Sequence, residues 1–324
     1  MCTAITLSAK DHYFGRNLDL DFSLNEQVII TPRQFPFRYR STSADMHHSA
    51  FIGIGIIADG YPLYYDATNE YGLSIAALNF PKNAVYHDYF DGFYNIAPFE
   101  FIPWVLCQCK TVEEARLLLN KTNLVQEDFS KSYPTSPLHW IIADKTSSIT
   151  VESVAENLKI YDNPVGVLTN SPSFHYHMQN LENYLNLTSE EPINRFSTDL
   201  KLKPYSLGMG AIGLPGDFSS ASRFVRAAFT KFNSRVGDTE YAAISQFFHI
   251  LGNVAQPDGC TKTGKCYERT VYSSCCNTDR GIYYYTTYEN NQISAVSLFS
   301  EDLDSNELFS YPLITEQQIR QINS

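Results

Sequence analysis

Strand-forming stretches lie at both ends and in the middle of this chain, and helical stretches fall in two clusters between them. That order constrains the fold more than any other feature. A parallel, doubly wound sheet needs strands and helices in regular alternation, and no such alternation occurs. Cys2–Leu7 and His12–Leu18 flank a polar Ser-Ala-Lys-Asp turn and read as a hairpin. Gln27–Thr31 and Phe51–Ile57 are apolar and β-branched. Pro62–Ala67 and Leu73–Leu78 form a second hairpin, with Gly72 in its turn. Leu138–Ala143, Ser148–Ser153, Leu158–Tyr161, Thr270–Ser274, Ile282–Tyr288 and Ile293–Leu298 are further strands. Helical patterns cover Phe99–Cys109, a segment opened by the capping box Thr111-Val-Glu-Glu114, Phe174–Leu185, Ser219–Phe232 and Tyr241–Leu251. Antiparallel sheets with helices on their outer faces are the expected result, an α+β arrangement. No repeat or Pro/Gly/Ser linker divides the chain, so residues 1–324 are expected to form a single domain.

Composition narrows the function classes. A chain of 324 residues with 44% hydrophobic and 18% charged residues is globular, not disordered. Its net charge is -11, from 24 basic and 35 acidic residues, and no Lys/Arg run forms a patch. Nucleic acid is therefore excluded as a partner, because phosphate binding needs concentrated positive charge. No stretch reaches 18 uninterrupted apolar residues, and Lys10 and Asp11 soon interrupt the N-terminal segment. A soluble cytoplasmic protein is expected. The 22 Tyr and 21 Phe residues suit β-rich folds and pockets with one apolar and one wet side.

The seven cysteines are odd in number, and a chain of this length needs no disulfide framework. Cys260-x5-Cys266 and Cys275-Cys276 lack the short paired spacing of structural zinc sites. His175-x-His177 falls in a helical pattern, where i and i+2 do not share a face, and His47-His48 sits in a polar loop. No metal or other cofactor is expected.

Cys2 is the most informative single residue. Met1 is expected to be removed, since Cys is small. The mature chain then carries a thiol and a free α-amine on one residue. An α-amine has a pKa of about 7.7–8.0, so its neutral form can take the thiol proton. A lone cysteine near a chain end is ordinarily inert, so position alone does not decide. The next strand adds weight. Phe14-Gly-Arg16-Asn-Leu-Asp19 lies opposite Cys2 across the hairpin. Strand periodicity puts Arg16 and Asp19 on different faces unless a bulge intervenes. A guanidinium favours thiolate, and a carboxylate can hold an α-ammonium, although surface ion pairing is the commoner fate of both types. Gly208-Met-Gly-Ala-Ile-Gly213 matches G-x-G-x-x-G, but Leu-Pro215-Gly-Asp217 comes next where a dinucleotide site needs a helix. A tight glycine-permitted loop is the better reading.

Five ordered blocks then point further. They are Met1-Cys2-Thr-Ala-Ile5, Phe14-Gly-Arg-Asn-Leu-Asp19, Ala77-Leu-Asn79-Phe-Pro81, Pro164-Val-Gly-Val-Leu-Thr-Asn170-Ser-Pro172 and Gly213-Leu-Pro-Gly-Asp-Phe-Ser-Ser-Ala-Ser-Arg223-Phe-Val225. With them the chain resembles the choloylglycine hydrolases, the bile salt hydrolases and penicillin V acylases, nearly end to end. The resemblance implies an N-terminal nucleophile hydrolase fold, a four-layer αββα sandwich with two antiparallel sheets, assembled as a homotetramer. It implies that Cys2 attacks an amide carbonyl and forms a thioester, with its own α-amine as base and then acid. Asn170, through its side-chain amide, and Asn79, through its backbone N–H, match oxyanion-hole positions. Asp19 would hold the α-amine, Arg16 would neighbour the thiol, and Arg223 completes the polar set.

Asn79 resembles the bile salt hydrolases, where penicillin acylases tend to carry Tyr. Conjugated bile salts are therefore the implied substrate and penicillin V the alternative. Leu20, Phe22 and Tyr65 occupy positions that line the apolar pocket in relatives. Ile75-Ala-Ala77 departs from the common Met-Ala-Gly, which puts an extra methyl behind the oxyanion strand.

Overall fold

The structure, a computed structural model, describes residues 1–323. Two antiparallel sheets pack face to face. In spatial order the first runs Val167–Leu168, Cys2–Ser8, His12–Leu20, Cys266–Asn277, Ile282–Thr287 and Ser294–Ser297, with Thr261–Thr263 paired to Cys266–Asn277. The second runs Leu158–Asp162, Ser148–Ser153, Leu138–Ala143, Ser74–Asn79, Tyr61–Asn69, Phe51–Ala58, Gln27–Thr31 and Phe309–Pro312.

Strand alternation sorts the second sheet's side chains into two cores. Val28, Ile30, Ile52, Ile54, Ala76, Leu78 and Ile141 point between the sheets. Ile29, Phe51, Ile75, Ala77, Trp140 and Ile142 point outward and meet Phe101, Ile102, Val105 and Leu106 of the helix Phe101–Gln108. Both faces are covered, which is why these strands read as almost continuous apolar runs. On the other side, helices Ser220–Asn233 and Glu240–Gly252 cover the first sheet with Phe224, Ala227, Ile244 and Phe247. The layers are therefore helix, sheet, sheet, helix.

Most expected elements appear within one or two residues of their sequence boundaries. The last strands differ more. Cys266–Asn277 is more than twice the expected length, and Phe309–Pro312 was not expected from the sequence. The capping box is half formed. Glu114 N–H donates to Thr111 Oγ1 at 3.2 Å, but the Glu114 carboxylate reaches past Thr111 to Lys110 N–H. The loop around His47-His48 is not simply polar, because His48 is buried between Phe37 and Phe51. Gly208 and Gly213 both take positive φ around the short turn Met209–Ala211, and no helix opens until Ser220.

Two bulges interrupt the ladders. Tyr65 has no partner between the pairs Ile54–Asp66 and Gly55–Tyr64. Val271 has none between Thr270–Asp19 and Tyr272–Leu18.

Gly15 sits where the central strands come closest. A Cβ there would overlap Ser274 O and lie 2.9 Å from Cys275 Cα, both rigid backbone. Gly15→Ala is expected to destabilise the fold by about 1–3 kcal/mol through overpacking, read as a lower midpoint in urea unfolding.

Candidate active site

Cys2 opens the first strand, paired with Leu18 and 3% exposed. Its backbone N–H donates to Asn170 Oδ1 at 2.7 Å. Its carbonyl accepts from Arg223 Nη1 at 2.5 Å. The same guanidinium donates from Nη1 to Thr3 Oγ1 at 2.6 Å, from Nη2 to Asn170 Oδ1 at 2.7 Å and from Nε to Phe218 O at 3.1 Å. Arg223 is placed by its helix, which Ser219 caps at Ser222 N–H. The preceding Pro-Gly-Asp turn is held by Arg226 Nη1, at 3.0 Å from Pro215 O and 2.9 Å from Asp217 O.

Asp19 lies on the helix side of the first sheet and Arg16 on the inter-sheet side, as strand periodicity requires. The bulge lies in the neighbouring strand at Val271. Asp19 Oδ1 accepts from Thr270 Oγ1 at 2.7 Å. Asp19 Oδ2 is 4.0 Å from Arg223 Nη1 and has no hydrogen-bond partner among the described residues. Burial pushes the Asp19 carboxyl above the usual range, against the pull of Arg223 and the N-terminal charge.

Arg16 shares its face with Cys2, since Ala4 pairs with Arg16 in the same hairpin. Its Nη1 donates to Tyr65 O at 2.9 Å and to Ala77 O. Burial disfavours this cation, but the surrounding charges of Cys2, Tyr272, Asp66 and Asp19 outweigh burial and hold it above the ordinary arginine value. Asp66 is the counter-charge that sequence reasoning missed. It is buried between the sheets and accepts from Tyr272 Oη at 2.7 Å and from Tyr283 Oη.

Asn79 ends its strand. Phe80 N–H donates to Pro137 O at 2.7 Å, so ladder alternation turns the N–H and C=O of Asn79 the opposite way. That C=O accepts from Asn170 Nδ2 at 2.7 Å. Asn79 and Asn170 therefore meet beside Cys2. The methyl of Ala77 points into the outer core under the helices, away from the Cys2 side. Leu20 and Tyr65 pack against the inter-sheet core, whereas Phe22 stands 55% exposed. The six polar positions expected from the sequence are thus brought together. Met1 precedes Cys2 in this structure. Its ammonium donates to Asp19 O at 2.8 Å and pairs with Glu268.

Sequence reasoning also passed over His139, Glu152, His177 and Ser220, which surround the Thr169–Asn170 backbone. The available signal was a polar residue inside an apolar strand, at His139 and Glu152. His177 lay in a pair dismissed as a metal site, and His175 is indeed exposed on the other side of its helix. All seven cysteines are free, with Cys260 and Cys266 exposed and the rest buried. No helix among the described residues is long and apolar enough to cross a membrane.

The family of linear amide C–N hydrolases described as the choloylglycine hydrolase family matches residues 2–311. The chain belongs to that family. A bile salt hydrolase/transferase from Lactiplantibacillus plantarum is 55% identical over 100% of both chains. A second bile salt hydrolase/transferase, from Clostridium perfringens, is 40% identical over 100% of both. The crystal structure of a variant of the conjugated bile acid hydrolase from Clostridium perfringens matches with a TM-score of 0.92 at 40% identity, covering 100% of each chain. A penicillin V acylase from Agrobacterium tumefaciens shares the fold, with a TM-score of 0.74 at 19% identity over 96% of this chain and 90% of that one. The architecture is that of the N-terminal nucleophile hydrolases, and the chain is a linear amide hydrolase.

Two buried imidazoles make the assembly acid-sensitive. Burial holds both His12 and His177 down to about 4. An unfolded chain protonates its histidines from about pH 6.5 downward, so their contribution is present above that pH and lost as pH falls toward 4. Urea unfolding is expected to show this loss, about 3 kcal/mol per histidine at pH 4. The His12→Gln variant should show a slope shallower by one proton across that window.

Proposed function

We propose that this protein hydrolyses the amide bond of glycine- or taurine-conjugated bile salts, with Cys2 as N-terminal nucleophile. The observation that carries the proposal is the bond from the Cys2 nitrogen to Asn170, with Arg223 joining Cys2 O, Asn170 Oδ1 and the neighbourhood of Asp19, in a chain whose relatives bear bile salt hydrolase names.

Removal of Met1 converts the Cys2 nitrogen from an amide to an amine. That amine takes the thiol proton, and the sulfur attacks the scissile carbonyl. The developing oxyanion is met by the second N–H of Asn170 Nδ2, the first being given to Asn79 O, and by the backbone N–H of Asn79. The ammonium then protonates the leaving glycine or taurine nitrogen, and a thioester to the bile acid remains. Water, deprotonated by the same amine, attacks the thioester, and the acid leaves. Arg16, on the thiol's face and anchored to Tyr65 O and Ala77 O, favours thiolate. Asp19 holds the α-ammonium. Leu20, Tyr65 and the exposed Phe22 supply the apolar side of the substrate site.

A homotetramer is part of the proposal. Leu185, Ile193, Phe196, Tyr205 and Leu207 are all at least 71% exposed along one segment, more apolar surface than an isolated chain ordinarily presents. A cytoplasmic setting also fits, because a free nucleophilic thiol needs a reducing compartment. The chain is taken to work as one domain.

Intact mass combined with amino acid release from glycocholate and taurocholate, beside hydrolysis of penicillin V, tests the reading. We expect a mass lacking Met1, a higher kcat/KM on bile salts than on penicillin V, and no turnover by Cys2→Ala. Asn170→Ala should lose about 10²–10³ in kcat. Full activity of Cys2→Ala would sink the proposal. A processed enzyme inactive on all three substrates would redirect it to other N-acyl amides.

A further inference from the structure

Each polar atom of Asn170 has a partner, and one N–H of Nδ2 is left over. Its side chain receives Cys2 N–H and Arg223 Nη2 on Oδ1, each at 2.7 Å, and donates from Nδ2 to Asn79 O. Its backbone lies beyond the last ladder pair of its strand, Ala4–Leu168, so the sheet does not hold it. Side chains do. Asn170 N–H donates to Ser220 Oγ at 2.8 Å, and Asn170 C=O lies 2.9 Å from His177 Nε2. Ser220 Oγ in turn donates to Thr169 Oγ1 at 2.9 Å.

His177 is fully buried on helix Phe174–Leu181. Its ring stacks on Phe224, next to Arg223, with centroids 4.8 Å apart. A second histidine treats the preceding residue in the same way. His139 Nε2 lies 2.9 Å from Thr169 O, and its ring stacks at 4.2 Å on Phe80, next to Asn79. Glu152 Oε1 backs that ring at 3.2 Å and also accepts Phe174 N–H at 2.8 Å, tying the start of the His177 helix to the same carboxylate. A carbonyl can only accept, so the His177 proton sits on Nε2. Its Nδ1 has no partner among the described residues. The short bond of the ring goes to Asn170 O, and the same Nε2 lies 3.5 Å from Ser220 Oγ, which holds the Asn170 N–H.

We propose that His177, together with Ser220, is a positioning residue for Asn170, fixing its backbone so that the side-chain amide faces the reacting carbonyl. This rests on the reading of Asn170 as an oxyanion donor. His177 acts through Asn170 and not on the substrate.

Kinetics of the full-length processed enzyme on glycocholate test this. His177→Leu is expected to lower kcat by about 10²-fold, the effect of a roughly 1 Å misplacement, with little change in KM. His177→Gln, whose amide can donate in place of Nε2, should recover most of that loss. In an Asn170→Ala background His177→Leu should cost nothing further, because the two residues act as one unit. A purely structural His177 would cost the same factor in both backgrounds. That result, or a folded His177→Leu with wild-type kcat, overturns the proposal. Should His177→Leu not fold, Ser220→Ala is read in the same cycle, with the same expectation and the same overturning result. Asn170→Ala with wild-type kcat would instead overturn the oxyanion reading, and the positioning role with it.

Discussion

A guanidinium with no access to water, that of Arg223, joins three segments that are distant in sequence. It donates to Cys2 O and Thr3 Oγ1 on the first strand, to Asn170 Oδ1 in the loop after Val167–Leu168, and to Phe218 O before its own helix. Taking such a cation out of water costs several kcal/mol unless good geometry and further hydrogen bonds offset it. Burial indeed pulls the Arg223 pKa down, and Asp19 and Cys2 push it back. The offset exists only when all three segments are in place. The positions of the Cys2 nitrogen and the Asn170 amide are thereby tied to the packing of helix on sheet. A site built this way is rigid before any substrate arrives.

Interruptions of the strand ladders extend that logic to both faces of the first sheet. An unbroken ladder would use the Tyr65 carbonyl for pairing. Pairing of Tyr61–Asn69 with Ser74–Asn79 ends at Asp66–Ala76, which leaves the Tyr65 carbonyl for Arg16. Ala77 O, on the free side of its strand, takes the same guanidinium. Arg16 is then compensated in charge by Asp66, whose own burial raises its carboxyl and whose tyrosine and serine donors pull it back. Opposite Asp19, the unmatched Val271 lets Thr270 face the carboxylate directly. Each interruption thus frees or redirects a group that continued regular pairing would have used otherwise.

What the sequence revealed and what it hid depend on range. Strands such as Gln27–Thr31 and Leu138–Ala143 were legible because alternation and β-branching are local properties. Cys2, Arg16 and Asp19 were legible because one hairpin joins them within eighteen residues. Asn79, Asn170 and Arg223 were named only through resemblance, since nothing local brings positions so far apart to one point. The Asp66 cluster escaped for the same reason. Its carboxylate sits in a strand that reads as ordinary, and its meaning comes from Tyr272 and Tyr283 more than 200 residues later. Strand Phe309–Pro312 escaped because a four-residue edge strand ending in proline carries little pattern.

The N-terminal residue completes the physical picture. Met1 adds one rung to the hairpin, with Asp19 N–H donating to Met1 O at 3.0 Å and the ammonium returning to Asp19 O. In that state the Cys2 nitrogen is an amide that gives its hydrogen to Asn170. Under the proposed removal of Met1 this atom would change its chemistry and not its place, because strand pairing and the Arg223 bond to Cys2 O hold the residue independently. The new amine needs an anionic neighbour to carry a proton. Asp19 Oδ2 is a buried acceptor without a hydrogen-bond partner among the described residues, and an N-terminal charge already pulls the raised Asp19 pKa downward. An unsatisfied buried carboxylate oxygen is a liability to an unprocessed chain. In the proposed mechanism that oxygen gains its partner from the Cys2 ammonium.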